Sequence, residues 1–190
     1  MVALADLWLP ILLAAVAVFI VSSVIHMVLP IHKGDYKKLP NEDAVLESMR
    51  NHGVQQGSYM FPCAGSMKEM GTPEMIEKMN KGPVGYMIVL PNGPFPIGKS
   101  LIWWFLYSIA IGVFVAYLGT LAPLARGAEF MEVFRFTGTA AVLGYAMSNV
   151  VDSIWKGVAW SVTFKFVFDG LLYGLATGAV FGWMWPGVSA

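Results

Sequence analysis

Four long apolar runs, separated by polar or proline-rich stretches, dominate the pattern of this chain: Leu7 to Leu29, Ser100 to Ala122, Val133 to Val151 and Val162 to Trp185. Each is close to the roughly 20 residues that an α-helix needs to cross a bilayer core. The pattern predicts four spanning helices. Pro10 falls in the first turn of the first helix, where its missing N–H costs nothing, and Pro30, Pro123 and Pro186 stand just past three of the runs as stops. Trp8, Trp103, Trp104, Trp155, Trp160, Trp183 and Trp185 fall near the predicted ends, where an interfacial aromatic belt belongs. The first run has no basic residue ahead of it, exceeds the length of a signal-peptide core and lacks a small-residue cleavage site before His32, so it reads as a retained helix.

Between the first two runs the period changes. Asn41 is placed to cap a helix that opens with Glu42 and Asp43, turns Val45, Leu46 and Met49 to one side and stops at Gly53. Thr72 and Pro73 open a second short helix with Met75, Ile76 and Met79 on one face and Gly82-Pro83 at its end. Tyr86 to Leu90 reads as a short strand before the turn Pro91-Asn92-Gly93-Pro94. The organisation expected is therefore a first span in residues 1–29, a connecting element in 30–99 and three spans in 100–190. In fold class this is an all-α integral membrane protein, a four-helix bundle with a small mixed insertion between helices 1 and 2.

Composition agrees with the membrane class: 57% of residues are hydrophobic, 13% are charged and the mean hydropathy is +0.63. The formal net charge of zero gives no electrostatic footprint for nucleic acid. The single cysteine, Cys63, rules out an internal disulfide framework, and no Cys-x-x-Cys is present to hold zinc, an iron–sulfur cluster or covalent haem. No metal ligand set is assigned from the sequence. The methionines of the connecting element, such as Met49, Met60 and Met67, are soft donors, yet they are explained first as fillers of apolar faces.

Charge position gives an orientation. Lys33, Lys37, Lys38 and Lys99 flank the first two runs on the side of the connection, whereas the first nine and last five residues contain no basic residue. The expected topology puts the connecting element in the cytoplasm and both termini in the periplasm.

Small residues recur every four positions in three runs: Gly170, Gly174, Gly178 and Gly182 in the last, Ser108, Gly112 and Ala116 in the second, and Ala140, Gly144 and Ser148 in the third. Such ridges let helix backbones approach closely. Ionisable and polar residues inside the runs are the candidate site: Lys165 and Asp169, four apart on one face; Asn149 and Asp152, three apart near the end of the third run; and His26 near the end of the first. In the expected topology all five belong to the cytoplasmic half of the bundle. Lys165 and Asp169 read as a proton or ion site, or structurally as an ion pair that lowers the cost of the buried carboxylate or as a snorkelling Lys165 with Asp169 bonded to a neighbouring helix; Asp152 has Lys156 one turn on. A functional cluster would hold a headgroup, a quinone or another ligand; the structural reading is interhelical hydrogen bonding. His26 is the only histidine in a run, which disfavours two-histidine haem ligation and leaves a single axial contact to haem or a pigment as the remaining cofactor role. Cys63 lacks an adjacent basic cluster or histidine and reads as an inert thiol.

The segments YMFPC at Tyr59 to Cys63, KGPVGYMIV at Lys81 to Val89 and SVTFKFVFDGLLYG at Ser161 to Gly174 resemble a family of uncharacterised four-span bacterial inner-membrane proteins. The resemblance implies a bacterial inner membrane and the same topology, and brings no activity with it. No nucleophile and base are visibly paired. The function expected is that of a non-enzymatic accessory or assembly subunit of a larger bacterial membrane complex, energy-transducing complexes included, with lipid and other membrane subunits as partners. The alternative is a small carrier or ligand-binding protein that uses the polar cluster.

Overall fold

A computed structural model describes residues 2–187. The chain divides into two compact units: residues up to Asp35 together with those from Pro96 onward, and Tyr36–Phe95. Residues 30–35, placed in the connecting element by the hydrophobic pattern, thus pack with the helices.

The first unit contains α1 (Trp8–Ser23), α5 (Ile97–Leu121), α6 (Phe130–Tyr145), α7 (Ser148–Lys156) and α8 (Trp160–Met184). With its flanking turns, α1 becomes one helical stretch, Leu4–Val28, and this stretch, α5 and α8 are the helices among the described residues that are long and apolar enough to cross a membrane. They mark a membrane protein. The third run departs from expectation. Hydropathy predicts a continuous helix over Val133 to Val151; instead α6 ends at Tyr145, a turn takes residues 146–147, and α7 starts at Ser148. At the break the chain packs closely across the interface, where a Cβ added to Gly170 would meet the Ala146 backbone at 2.7 Å. The Asn149 side-chain amide donates to the Tyr145 and Ala146 carbonyls at 3.0 and 3.1 Å, and the Ala146 carbonyl also accepts the Asn149 backbone N–H at 3.2 Å.

The glycine ridge of α8 is seated on α6. Added Cβ atoms would meet Val142 Cγ2 at 2.3 Å from Gly174, the Phe134 carbonyl oxygen at 2.8 Å from Gly178 and the Phe130 ring at 2.7 Å from Gly182. Partner numbers fall as the glycine numbers rise, so the two helices run antiparallel with their backbones nearly touching. Gly112 faces Ile11 of α1, and Gly144 faces the Ile111 side chain. At the far end Asp6 pairs with Arg126, the Trp185 indole donates to the Ala125 carbonyl, and the Gly127 N–H donates to the Pro186 carbonyl. The core between helices holds Val18, Val115, Val133 and Phe181, while many large apolar side chains point outward, as a lipid-facing surface requires.

The second unit contains α2 (Glu42–Asn51), β1 (Gly57–Phe61), α3 (Met67–Met70), α4 (Pro73–Lys81) and β2 (Gly85–Val89). β1 and β2 form an antiparallel pair with Tyr59 opposite Met87. β1 and α3 have no counterpart among the elements expected from the sequence. Thr72 caps α4 through its hydroxyl, as its position suggests. Asn41 precedes α2 but adopts a left-handed conformation, φ 49°, and its side chain makes no capping bond.

Candidate ligand and metal site

The end of α1 sets the site. Pro30 has no N–H to offer His26, so the last turn widens: Leu29 N–H donates to the Val24 carbonyl at 3.0 Å, five residues back, and Val24–Val28 form a π-type turn. Beyond it the backbone extends at Leu29 and coils again over Pro30–His32. This reversal stacks His32 on His26, with ring centroids 4.3 Å apart, and Phe166 of α8 closes over both rings.

Asp169 lies beneath the two rings. Its side chain is 1% exposed; Oδ2 is 2.9 Å from His32 Nε2 and 3.5 Å from His26 Nε2. The contact to His32 is close but misaligned. Neither Asp169 oxygen nor His32 Nε2 has a hydrogen-bond partner, although all three are buried. The other nitrogen of His32, Nδ1, is 2.7 Å from Asp35 Oδ2, and the opposite oxygen of Asp35 accepts from the Lys165 ammonium. The side chain of Asp35 is only 3% exposed. The Lys165 hydrogen bond, with that of His32 adding to it, outweighs burial and holds the Asp35 carboxyl below the usual carboxylate range. Asp35 is therefore an anion at neutral pH, and it fixes a proton on His32 Nδ1.

The expected ion pair between Lys165 and Asp169 does not form. Side chains on a helix lean toward its N-terminus, so a lysine four residues before an aspartate extends away from it. Lys165 reaches Asp35 instead. Asp152 pairs with Lys156 at 2.7 Å and lies apart from the cluster. Asn149 caps the helix break, and its side chain also lines the same cavity as His26 and Asp169. Of the five residues named from the sequence, the structure thus joins His26, Asp169 and Asn149 around one space, brings Lys165 in through Asp35, and leaves Asp152 outside. His32 and Asp35 escape a reading of the sequence. Their only signal there is a three-residue spacing directly after Pro30.

The space itself is a cavity of about 440 Å³ between the ends of α1, α5, α6 and α8. Leu101, Trp104, Met27 and Phe166 give it apolar walls, and Asp169, His26, Asn149 and Tyr173 give it a polar floor. Its walls are tied together: the Trp104 indole donates to Ser22 Oγ at 2.9 Å, and Tyr145 and Tyr173 pack edge to face with centroids 5.5 Å apart. The Tyr173 hydroxyl is 3.4 Å from His26 Nε2. No family model, curated protein or solved structure matches this chain.

Proposed function

We propose that the chain is an integral membrane protein that binds an amphipathic molecule in this cavity, with a hydrogen-bond-donating head, such as a quinol or a hydroxylated lipid headgroup, set against Asp169. The single observation behind this reading is a buried carboxylate with both oxygens unpartnered at the floor of an open-sided apolar cavity. A buried polar group left without a partner costs on the order of 1–3 kcal/mol, so a folded protein retains such a group where a ligand satisfies it. In this reading the chain makes four crossings, α6 with α7 forming the third, in a bacterial inner membrane. Lys33, Lys37, Lys38 and Lys99 support a cytoplasmic connecting element, which puts the cavity on the cytoplasmic side.

Purification in mild detergent followed by native mass spectrometry and solvent extraction tests the reading. The wild type retains a bound amphipathic molecule, and Ser100→Phe, which fills the cavity from the α5 side, loses it. Equal retention by both proteins, or an empty wild type, overturns the reading.

A second reading, the accessory subunit, draws on a different surface. Glu132 and Arg135 project from the outer face of α6 beside a groove formed with Leu118, Phe136 and Leu143, and neither makes an ion pair among the described residues. A partner helix carrying the opposite charges would satisfy both. Charge reversal at Arg135 then lowers recovery of the assembled complex without touching ligand retention.

A further inference from the structure

The two histidines and the aspartate beneath them form a donor set of a recognisable chemical kind. One ring nitrogen of His26, one of His32 and a carboxylate oxygen of Asp169 all lie within 4.8 Å of one another. A four-coordinate ion held at about 2.0–2.1 Å needs its donors about 3.3 Å apart. The two separations to Asp169, 2.9 and 3.5 Å, bracket that value.

Burial points the same way, independently of the distances. His32 Nε2 and both Asp169 oxygens are buried and have no hydrogen-bond partner, although Nε2 lies 2.9 Å from Oδ2. An ion beside them would draw on Nε2 and a carboxylate oxygen together.

The surrounding residues have the form that holds a metal-binding imidazole. A histidine ligand commonly donates its other N–H to a carboxylate, which fixes the tautomer and makes the ligating nitrogen more basic. Asp35 does this for His32, and Lys165 holds Asp35 in turn. Three protein donors beside a cavity leave further coordination positions open, as in sites that keep a place for water or a ligand oxygen. The Tyr173 hydroxyl is near enough to His26 to hydrogen-bond such a water.

We infer that His26, His32 and Asp169 bind one first-row divalent transition metal ion, with Asp35 and Lys165 positioning His32. Two imidazoles and a carboxylate suit Zn²⁺, Fe²⁺ or Co²⁺ and do not suit Cu⁺, which prefers thiolate and thioether. His26 then meets a bare ion instead of the macrocycle that a lone axial histidine would suggest. The ion shares Asp169 with the amphipathic ligand proposed above but does not require that ligand.

The test uses the full chain without a histidine tag, in detergent, with Cys63→Ser to remove the one thiol, stripped by chelator and titrated with Zn²⁺ alone and with Co²⁺ alone. One equivalent binds. Co²⁺ gives the visible bands of a four- or five-coordinate nitrogen–oxygen site. Asp169→Asn and His32→Ala each weaken Zn²⁺ binding by about 100-fold or more, and Asp35→Asn weakens it by about 10- to 100-fold, the range for loss of an outer-shell partner. His52→Ala changes nothing. Helical circular dichroism and elution volume show whether each variant is folded, and His26→Gln provides a variant at a partly exposed side chain should His32→Ala fail to fold. Absence of stoichiometric binding by folded wild type, or binding unchanged in folded Asp169→Asn and His26→Gln, overturns the inference. Ser100→Phe separates the two proposals: it empties the cavity of an amphipathic ligand and leaves Zn²⁺ affinity unchanged.

Discussion

Lys165 and Asp169 stand one turn apart on α8, yet the lysine gives its charge to Asp35, in the chain reversal after α1. The consequence is a line of alternating groups, Lys165, Asp35, His32 and Asp169, that couples the segment after α1 to α8. Cutting the line at one place leaves a buried charge alone. Lys165→Met strands Asp35 and should lower stability by a few kcal/mol, as breaking a buried pair does, whereas Lys165→Met with Asp35→Asn should cost less than the sum of the single changes. Denaturant or thermal unfolding of the four proteins in detergent checks the cycle; strict additivity would show that the pair contributes nothing.

The seat of α8 on α6 makes a graded prediction for glycines. Gly174→Ala inserts a methyl where Val142 Cγ2 is 2.3 Å away and backbone atoms of Gly138 and Val142 are 3.0 Å away, so the helices must separate at a cost of about 1–3 kcal/mol or more. Gly98→Ala, in the first turn of α5, meets nothing within 4 Å. Helix propensity then favours alanine, by up to about 1 kcal/mol. Melting temperatures of the two variants should move in opposite directions.

Asn149 holds the break between α6 and α7. Asn149→Leu keeps the side-chain volume and removes both amide bonds, leaving the Tyr145 carbonyl without its donor at a cost of about 1–3 kcal/mol, while the Ala146 carbonyl keeps the backbone N–H of residue 149. Faster hydrogen exchange should appear over residues 146–156 and spare the α1–α5 contact. A uniform increase across the bundle would mean that Asn149 supports the whole fold instead of the break.

Much of this arrangement can be read from the chain because local spacing carries it. The four-residue glycine ridge of α8 needs only the helical period, and so do the proline stops and the Thr72-Pro73 start of α4. The break after α6 is different in kind: nothing local in the sequence marks Ala146, and the close packing of Ala146 on Gly170 joins residues far apart in the chain. His32 and Asp35 are hidden for a related reason. Hydropathy ends the first span at Leu29 and assigns the next residues to a loop, whereas the wide turn forced by Pro30 returns that loop to the bundle. The Lys165–Asp169 spacing misleads in the opposite sense, since four-residue separation predicts contact only when the side chains lean toward each other.

The wide turn itself is testable. Pro30→Ala restores an N–H able to bond the His26 carbonyl and lets α1 continue as a regular helix. His32 is then carried away from Asp169, and Zn²⁺ affinity should fall by about 10-fold or more with α-helical content unchanged or higher. Affinity equal to wild type would show that the proline does not set the site.

The contact on which all of this turns is that between His32 and Asp169, and it is measurable in a lipid bilayer. Rotational-echo solid-state NMR on protein carrying ε2-¹⁵N-histidine and ¹³Cγ-aspartate should show His32 Nε2 dephased by a nearby carboxyl carbon, and Asp169→Asn should sharply reduce that dephasing, since Asp35 faces Nδ1 instead. Dephasing of His32 no greater than that of His52, whose ring bonds only the Ser48 carbonyl, would contradict the account.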